Sequence, residues 1–285
     1  MIKVDSVQGI RKLLSNEKKI AFVPTMGNLH EGHLSLVDLA ISASNIVVVS
    51  IFINPAQFTS SKDLKNYPRT PDRDIKLLTR YENVIIFMPS SDEIYPEYTN
   101  KKYDLPLIAN ELCGKSRPGH FNGVITIIDK LFDLVAPQVV IFGKKDYQQL
   151  FLVKEFSKKN YPKIEVIGGP TIRNKDGLAL SSRNNLYSKK QLINAANLYK
   201  ELQNIVNQVK YSHNNNNNND NDNIIAGGIN KLEGLGWNVD YIEIRKVSDL
   251  SKPSYRDRQL VIIGAGIFKS IRLIDSIEFC IDQPN

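Results

Sequence analysis

The stretch that decides the fold is Ile20-Ala21-Phe22-Val23-Pro24-Thr25-Met26-Gly27-Asn28-Leu29-His30-Glu31-Gly32-His33. Its first six residues are apolar or β-branched with little polar alternation, the pattern of a strand buried on both faces. Its end leads into a helix-period stretch, His33–Ala43. Gly27 suits the tight turn that ends the strand, and Gly32 lets the first helical turn come close to a ligand. His30 and His33 stand three apart, so both project from one face of a helix N-terminus. That end carries unpaired N–H groups and partial positive charge, a ready site for phosphate. Imidazoles there can donate hydrogen bonds to oxygens whose charge grows as a phosphate leaving group departs. A helix that merely begins with two histidines is the plain alternative, yet these are two of only 4 in the chain. A zinc pair would need further ligands, and no Cys, His or Asp cluster supplies them.

The same texture recurs on both sides. Apolar runs occupy Ile46–Asn54, Val84–Met88, Gln138–Phe142 and Ile164–Ile167, with helix-period stretches at Asp72–Tyr81, Phe121–Val135 and Tyr147–Lys158. Buried strands linked by helices predict an α/β fold, a Rossmann-like doubly wound parallel sheet with its ligand site at the carboxyl ends of the strands. Ahead of it, Val7, Ile10, Leu13 and Leu14 outline a short amphipathic helix without the apolar core of a signal peptide.

From Thr171 the pattern changes, so residues 1–172 are read as the Rossmann-like domain and 173–285 as a smaller α+β C-terminal lid domain. Ser188–Lys210 has helical spacing (Leu192, Ala195, Ala196, Leu198, Leu202, Ile205, Val209). Six consecutive asparagines, Asn214–Asn219, then dominate 211–223, a composition that cannot bury apolar surface and predicts a flexible loop. A short helix and strands at Val239–Arg245, Gln259–Gly264 and Arg272–Ile274 complete the chain. There is no internal repeat.

Bulk properties narrow the classes. An apolar content of 42% with 24% charged residues is ordinary for soluble globular chains. No apolar run approaches the roughly 18–20 residues that span a bilayer, so no membrane partner and a cytoplasmic location are expected. Cys113 and Cys280 form neither a metal-spaced nor a redox pair, and two buried or half-buried free thiols are expected. The net charge of +7 could suit nucleic acid, but the basic residues are scattered and no aromatic-interleaved strand accompanies them. A site for phosphates leaves the same surplus.

A His-x-Gly-His element after the first strand resembles the hallmark of the nucleotidylyltransferase superfamily that includes class I aminoacyl-tRNA synthetases. Five further stretches follow in order: Ser50-Ile51-Phe52-Ile53-Asn54-Pro55-Ala56-Gln57-Phe58, Asn66-Tyr67-Pro68-Arg69-Thr70, Ser116-Arg117-Pro118-Gly119-His120-Phe121, Phe142-Gly143-Lys144-Lys145-Asp146-Tyr147-Gln148-Gln149-Leu150 and Asp176-Gly177-Leu178-Ala179-Leu180-Ser181-Ser182-Arg183-Asn184. With the first, they resemble the pantothenate synthetase (pantoate–β-alanine ligase) family over the whole chain.

The resemblance implies an ATP-dependent, AMP-forming ligase that makes pantoyl adenylate and passes the acyl group to β-alanine. It implies ATP contacts at Met26, Gly27, Asn28, Leu29, His30, Glu31, Gly32 and His33, at Gly143, Lys144, Lys145 and Asp146, at Ile172, and at Leu180, Ser181, Ser182 and Arg183. His33, His30, Lys145 and Arg183 would be the catalytic groups. Gln57 and Gln149 look like the pantoate ligands, with Gln57 also near β-alanine and Asn54 beside it. The residue types agree. Neutral amides at strand ends can bond the hydroxyls and carboxylate of a small acid, although one such amide alone would be an ordinary strand end. Lys145 can place a point charge on an α-phosphate, and Asp146 could hold ribose hydroxyls. Ser182 alone would also be explained as the N-cap of the helix from Ser188.

Mg²⁺ is expected with ATP, and Thr70-Pro71-Asp72-Arg73-Asp74 looks like the family's acidic segment, with Asp74 the better candidate ligand and Asp72 the other. Arg73 interrupts it. Lys144 stands where the family usually has glutamate. Asn122 replaces a common arginine, which is expected to loosen Arg117–Gly123. The resemblance also implies a homodimer through the larger domain and no nucleic-acid partner. The alternatives are another small-molecule nucleotidylyltransferase of the same fold, or an RNA-binding module.

Overall fold

Strands β1 (Ile2–Val4), β2 (Ile20–Thr25), β3 (Ile46–Ile51), β4 (Val84–Phe87), β5 (Val139–Gly143) and β6 (Glu165–Gly169) form one parallel sheet in the order β1-β4-β3-β2-β5-β6. The structure is a computed structural model, and it describes residues 1–17, 19–95, 101–214 and 221–281. Helices α1 (Val7–Leu14), α2 (Glu31–Ala43), α3 (Ser61–Asn66), α4 (Pro71–Leu78), α5 (Ser91–Ile94), α6 (Cys113–Ser116), α7 (His120–Val135) and α8 (Tyr147–Asn160) lie between and after the strands. Two compact units divide the chain: Met1–Lys144 with Gln149–Pro170, and Lys145–Gln148 with Thr171–Asn285.

Why the strands read as unbroken apolar runs is plain from their neighbours. Phe22, Val48, Ile85, Phe87, Val140 and Phe142 enter one core, shared with α1, α7 and α8. The alternate residues Ala21, Val23, Val47, Val49, Ile86 and Ile141 enter a second core with Leu34, Val37 and Ala40 of α2 and Leu78 of α4. A sheet covered on both faces leaves its ligands only the strand ends. The chain leaves β2 for β3 on one side and later supplies β5 on the other. The carboxyl end of β2 is therefore the switch point, where doubly wound sheets open a crevice.

The second unit is a three-stranded antiparallel sheet, β7 (Trp237–Lys246), β8 (Gln259–Phe268) and β9 (Ile271–Cys280), in sequence order. Its helices are α9 (Lys189–Ala195), α10 (Asn197–Asn214) and α11 (Asn221–Gly234). Leu198, Leu202, Ile205 and Val209 of α10 bury one face against Ile242, Ile244, Leu260 and Ile262.

Four expectations need correction here. The single helix over Ser188–Lys210 is two, because the Ala196 amide bonds back only three residues, to Ile193 O at 3.3 Å, and tightens the chain there. The flexible loop expected over 211–223 is helical at 211–214 and 221–223, and its centre, 215–220, lies outside the described residues. Strands β8 and β9 run to within two residues of each other, joined by Lys269 (φ 48°) and Ser270 (φ 66°). This is a left-handed two-residue turn built without the glycine or asparagine that normally announces it. Strand β1, three residues at a sheet edge, is too short to carry a period. Both cysteines are free; Cys113 is buried as expected, but Cys280 is exposed. Among the described residues no helix is long and apolar enough to cross a membrane.

Candidate active site

The turn after β2 is fixed by its backbone. Gly27 (φ 77°) and Asn28 (φ 50°) both take left-handed conformations, and a Cβ on Gly27 would lie 3.0 Å from both Asp74 Oδ2 and Ile51 Cγ2. Thr25 Oγ1 donates to Ser50 O (2.7 Å) and accepts from Gly27 N (3.2 Å), stitching the turn to β3. His30 is the N-cap of α2, and the two imidazoles lie against each other tilted by 31°, with centroids 4.0 Å apart. His33 Nδ1 accepts from the His30 amide at 3.4 Å. A backbone amide can only donate, so the proton of a neutral His33 sits on Nε2 and makes that atom a donor.

Beside it, the turn after β3 holds an amide whose orientation follows from its partners. Asn54 is 1% exposed. One face of its side chain meets Gly123 O (3.0 Å), which only accepts; the other meets Ala56 N (3.2 Å), which only donates, and the Tyr95 hydroxyl (2.7 Å). Nδ2 therefore faces Gly123, and its second hydrogen goes to Gln57 Oε1 at 3.0 Å. Gln57 is left presenting Nε2, 3.0 Å from Met26 Sδ on the neighbouring turn. Its backbone is held as well. His120 Nδ1 donates to Gln57 O (2.7 Å), so His120 Nε2 accepts from Arg117 Nη1 (3.0 Å). Asn54 thus orients an amide instead of offering its own. Asn54→Asp is expected to turn an acceptor onto Gly123 O and cost about 1–3 kcal/mol of stability, read by urea unfolding.

Gln149 lies half-buried in the first turn of α8. Directly after β5, Lys144–Asp146 form a 3₁₀ turn, and the Lys144 stem packs over bare Gly168 of β6. Lys145 Nζ lies 3.6 Å from Asp146 Oδ2. In the second unit, Tyr147 donates to Glu278 Oε1 at 2.7 Å. Burial, reinforced by that carboxylate, raises its phenol above the usual range and keeps it protonated.

The segment from Thr171 folds back on itself. Leu180 N bonds Ile172 O (2.9 Å), Asn184 N bonds Ser181 O (2.9 Å), and Ser181 Oγ accepts from Arg183 N (3.3 Å). Arg173 anchors it with two bonds to buried Asp275, one to Gly177 O (3.2 Å), and its face on the Tyr199 ring. Burial pushes the Asp275 carboxyl up, and the guanidinium opposes that shift. Helix α9 is capped by Ser188, whose Oγ accepts from Gln191 N (3.3 Å), so Ser182 is not needed as a cap.

The family model described as pantoate-beta-alanine ligase matches residues 2–278. The chain belongs to the pantoate–β-alanine ligase family. A pantothenate synthetase of Methylobacillus flagellatus is 44% identical over 278 residues, 98% of each chain. One of Neisseria meningitidis serogroup B is 40% identical over 277 residues, covering 96% of this chain and 98% of its own. Among solved structures, pantothenate synthetase of Thermus thermophilus superposes with a TM-score of 0.88 at 37% identity, covering 97% of this chain and 99% of its own. Pantoate-beta-alanine ligase of Francisella tularensis, solved with β-γ ATP and β-alanine, gives 0.81 at 33% identity and 97% coverage of both.

Against this ligase-family background, two departures acquire a setting. Asn122 accepts from Tyr103 N (3.1 Å) and donates to Lys101 O (3.0 Å), tying two chain segments together where a looser loop was expected. The acidic segment does not fit a protein-held metal. Asp74 is 1% exposed with its oxygens engaged by the turn after β2, Asp72 is exposed, and no group of three or more His, Cys, Asp or Glu gathers among the described residues. The roles of Arg117, His120 and Tyr95 were not legible beforehand. Arg117 and His120 sit in one of the family-like motifs, but their target is a backbone carbonyl 60 and 63 residues away.

Proposed function

We propose that this chain condenses pantoate with β-alanine at the expense of ATP, through pantoyl adenylate, releasing pyrophosphate and AMP. In the first step a pantoate carboxylate oxygen forms a bond to the α-phosphorus, and the bond from that phosphorus to the pyrophosphate oxygen breaks. The carboxylate is already ionised, so no base is required. In the second step the β-alanine amine attacks the acyl carbon, AMP departs with the acyl-phosphate oxygen, and the amine's surplus protons pass to solvent or to the leaving phosphate.

The observation that carries this reading is the Gln57 amide, locked to present Nε2 at the switch point beside the His30–His33 turn. A neutral donor there suits the oxygens of a small hydroxy acid. Gln149 would be the second pantoate ligand. ATP would engage Met26–His33, Gly143–Asp146, Ile172 and Leu180–Arg183, with His30, His33, Lys145 and Arg183 stabilising charge on the transferring phosphoryl group. Mg²⁺ would ride on the nucleotide's own oxygens and shield their charge. A homodimer is part of the same proposal.

The test measures AMP release with pantoate, β-alanine and ATP, each omitted in turn. AMP formation that requires all three is expected. Repeated turnover releasing pyrophosphate but no AMP, with no dependence on β-alanine, would favour a simple nucleotidylyltransferase, and salt-sensitive RNA binding without either product would favour an RNA module.

A further inference from the structure

Asp74 is a buried carboxylate for which neither step of the reaction has a use. Its Oδ2 accepts from Asn28 N and its Oδ1 from Leu29 N, both at 2.8 Å, and Thr70 Oγ1 adds a third bond at 3.0 Å. Thr70 is the N-cap of α4, yet its hydroxyl makes no cap bond; it faces the carboxylate instead. Two consecutive amides can point at one carboxylate only because Gly27 and Asn28 are both left-handed, and that conformation sets the direction in which the chain enters α2. Arg73, next to the carboxylate, reaches Asn28 Oδ1 at 3.4 Å, so the same helix turn grips both the backbone and the side chain of Asn28.

We propose that Asp74 is a positioning residue that sets the His30–His33 turn for the phosphoryl-transfer step, and not a metal ligand. The inference rests on the ATP reading of the site. An anion held by two N–H groups is a strong, directional clamp, and a displacement of about 1 Å at a reacting centre can lower a rate about 10²-fold. Asparagine at this position keeps the shape but sets its own NH₂ against one of the two backbone donors.

The experiment compares the wild type with Asp74→Asn in three measurements. Pantoate-dependent ATP–pyrophosphate exchange is expected to fall about 10²-fold at saturating substrates, while transfer of supplied pantoyl adenylate to β-alanine changes far less. The Mg²⁺ concentration for half-maximal exchange should not move. Amide hydrogen exchange at Asn28 and Leu29 should quicken in the variant. Exchange activity within about twofold of wild type, equal loss in both half-reactions, or full recovery in excess Mg²⁺ would each overturn the proposal. If Asp74→Asn does not fold, Thr70→Val takes its place: a selective fall in exchange, restored by Thr70→Ser, supports the clamp, and unchanged exchange overturns it. A wild type inactive in pyrophosphate exchange would sink the ATP reading alone, since the amide protection at Asn28 and Leu29 still reports on the clamp.

Discussion

His33→Ala is expected to lower pantoate-dependent adenylate formation by about 10²–10³-fold while leaving the thermal midpoint within a few degrees of wild type. The side chain is half-buried, and the bond it accepts from the His30 amide is long at 3.4 Å, so little folding energy depends on that contact. What would be lost is a donor whose tautomer is preset, with its proton on Nε2, which the proposed reaction would use against charge building on the phosphoryl oxygens. Single-turnover pyrophosphate release separates this from an effect on binding: the rate should fall and the KM for ATP should change little. Retained turnover would remove His33 from the mechanism.

Gly123→Ala should be a strongly damaging small substitution in the first unit. A Cβ there would run into the Ala56 carbonyl and come within 2.7 Å of Gln57 N. These are backbone atoms of a turn whose 3₁₀ conformation is pinned by Asn54, so no side chain can swing aside. Overpacking typically costs ~1–3 kcal/mol, and a clash with main chain belongs at or above that upper end. Urea unfolding should show it. Folded enzyme should have a raised KM for pantoate, because the displaced segment carries Gln57. A variant with wild-type stability and KM would mean α7 can shift away from the turn without consequence.

Much of this was legible in advance because the relevant physics is local. A strand buried on both faces has to be an apolar run, and Ile20–Thr25, Ile46–Ile51 and Val139–Gly143 are such runs. A glycine before a His-x-Gly-His element has to be a turn leading into a helix. What stayed hidden was relational. Asp74 reads as a metal candidate until its two amide partners, 45 and 46 residues earlier, are seen. Gly123 looks like any helix glycine until α7 is laid against Pro55–Gln57. The hairpin at Lys269–Ser270 escaped notice because its left-handed conformation is imposed by the pairing of β8 with β9 and not by residue type. Propensity yields where tertiary pairing supplies more energy.

The amide network around Asn54 also fixes which way Gln57 faces. Rotating the Gln57 head group by half a turn would bring two NH₂ groups face to face, so the side chain cannot reverse itself to greet a different visitor. A carboxylate or hydroxyl oxygen finds a partner there. A group that could offer only an N–H there would meet another donor, a preference settled when the protein folded.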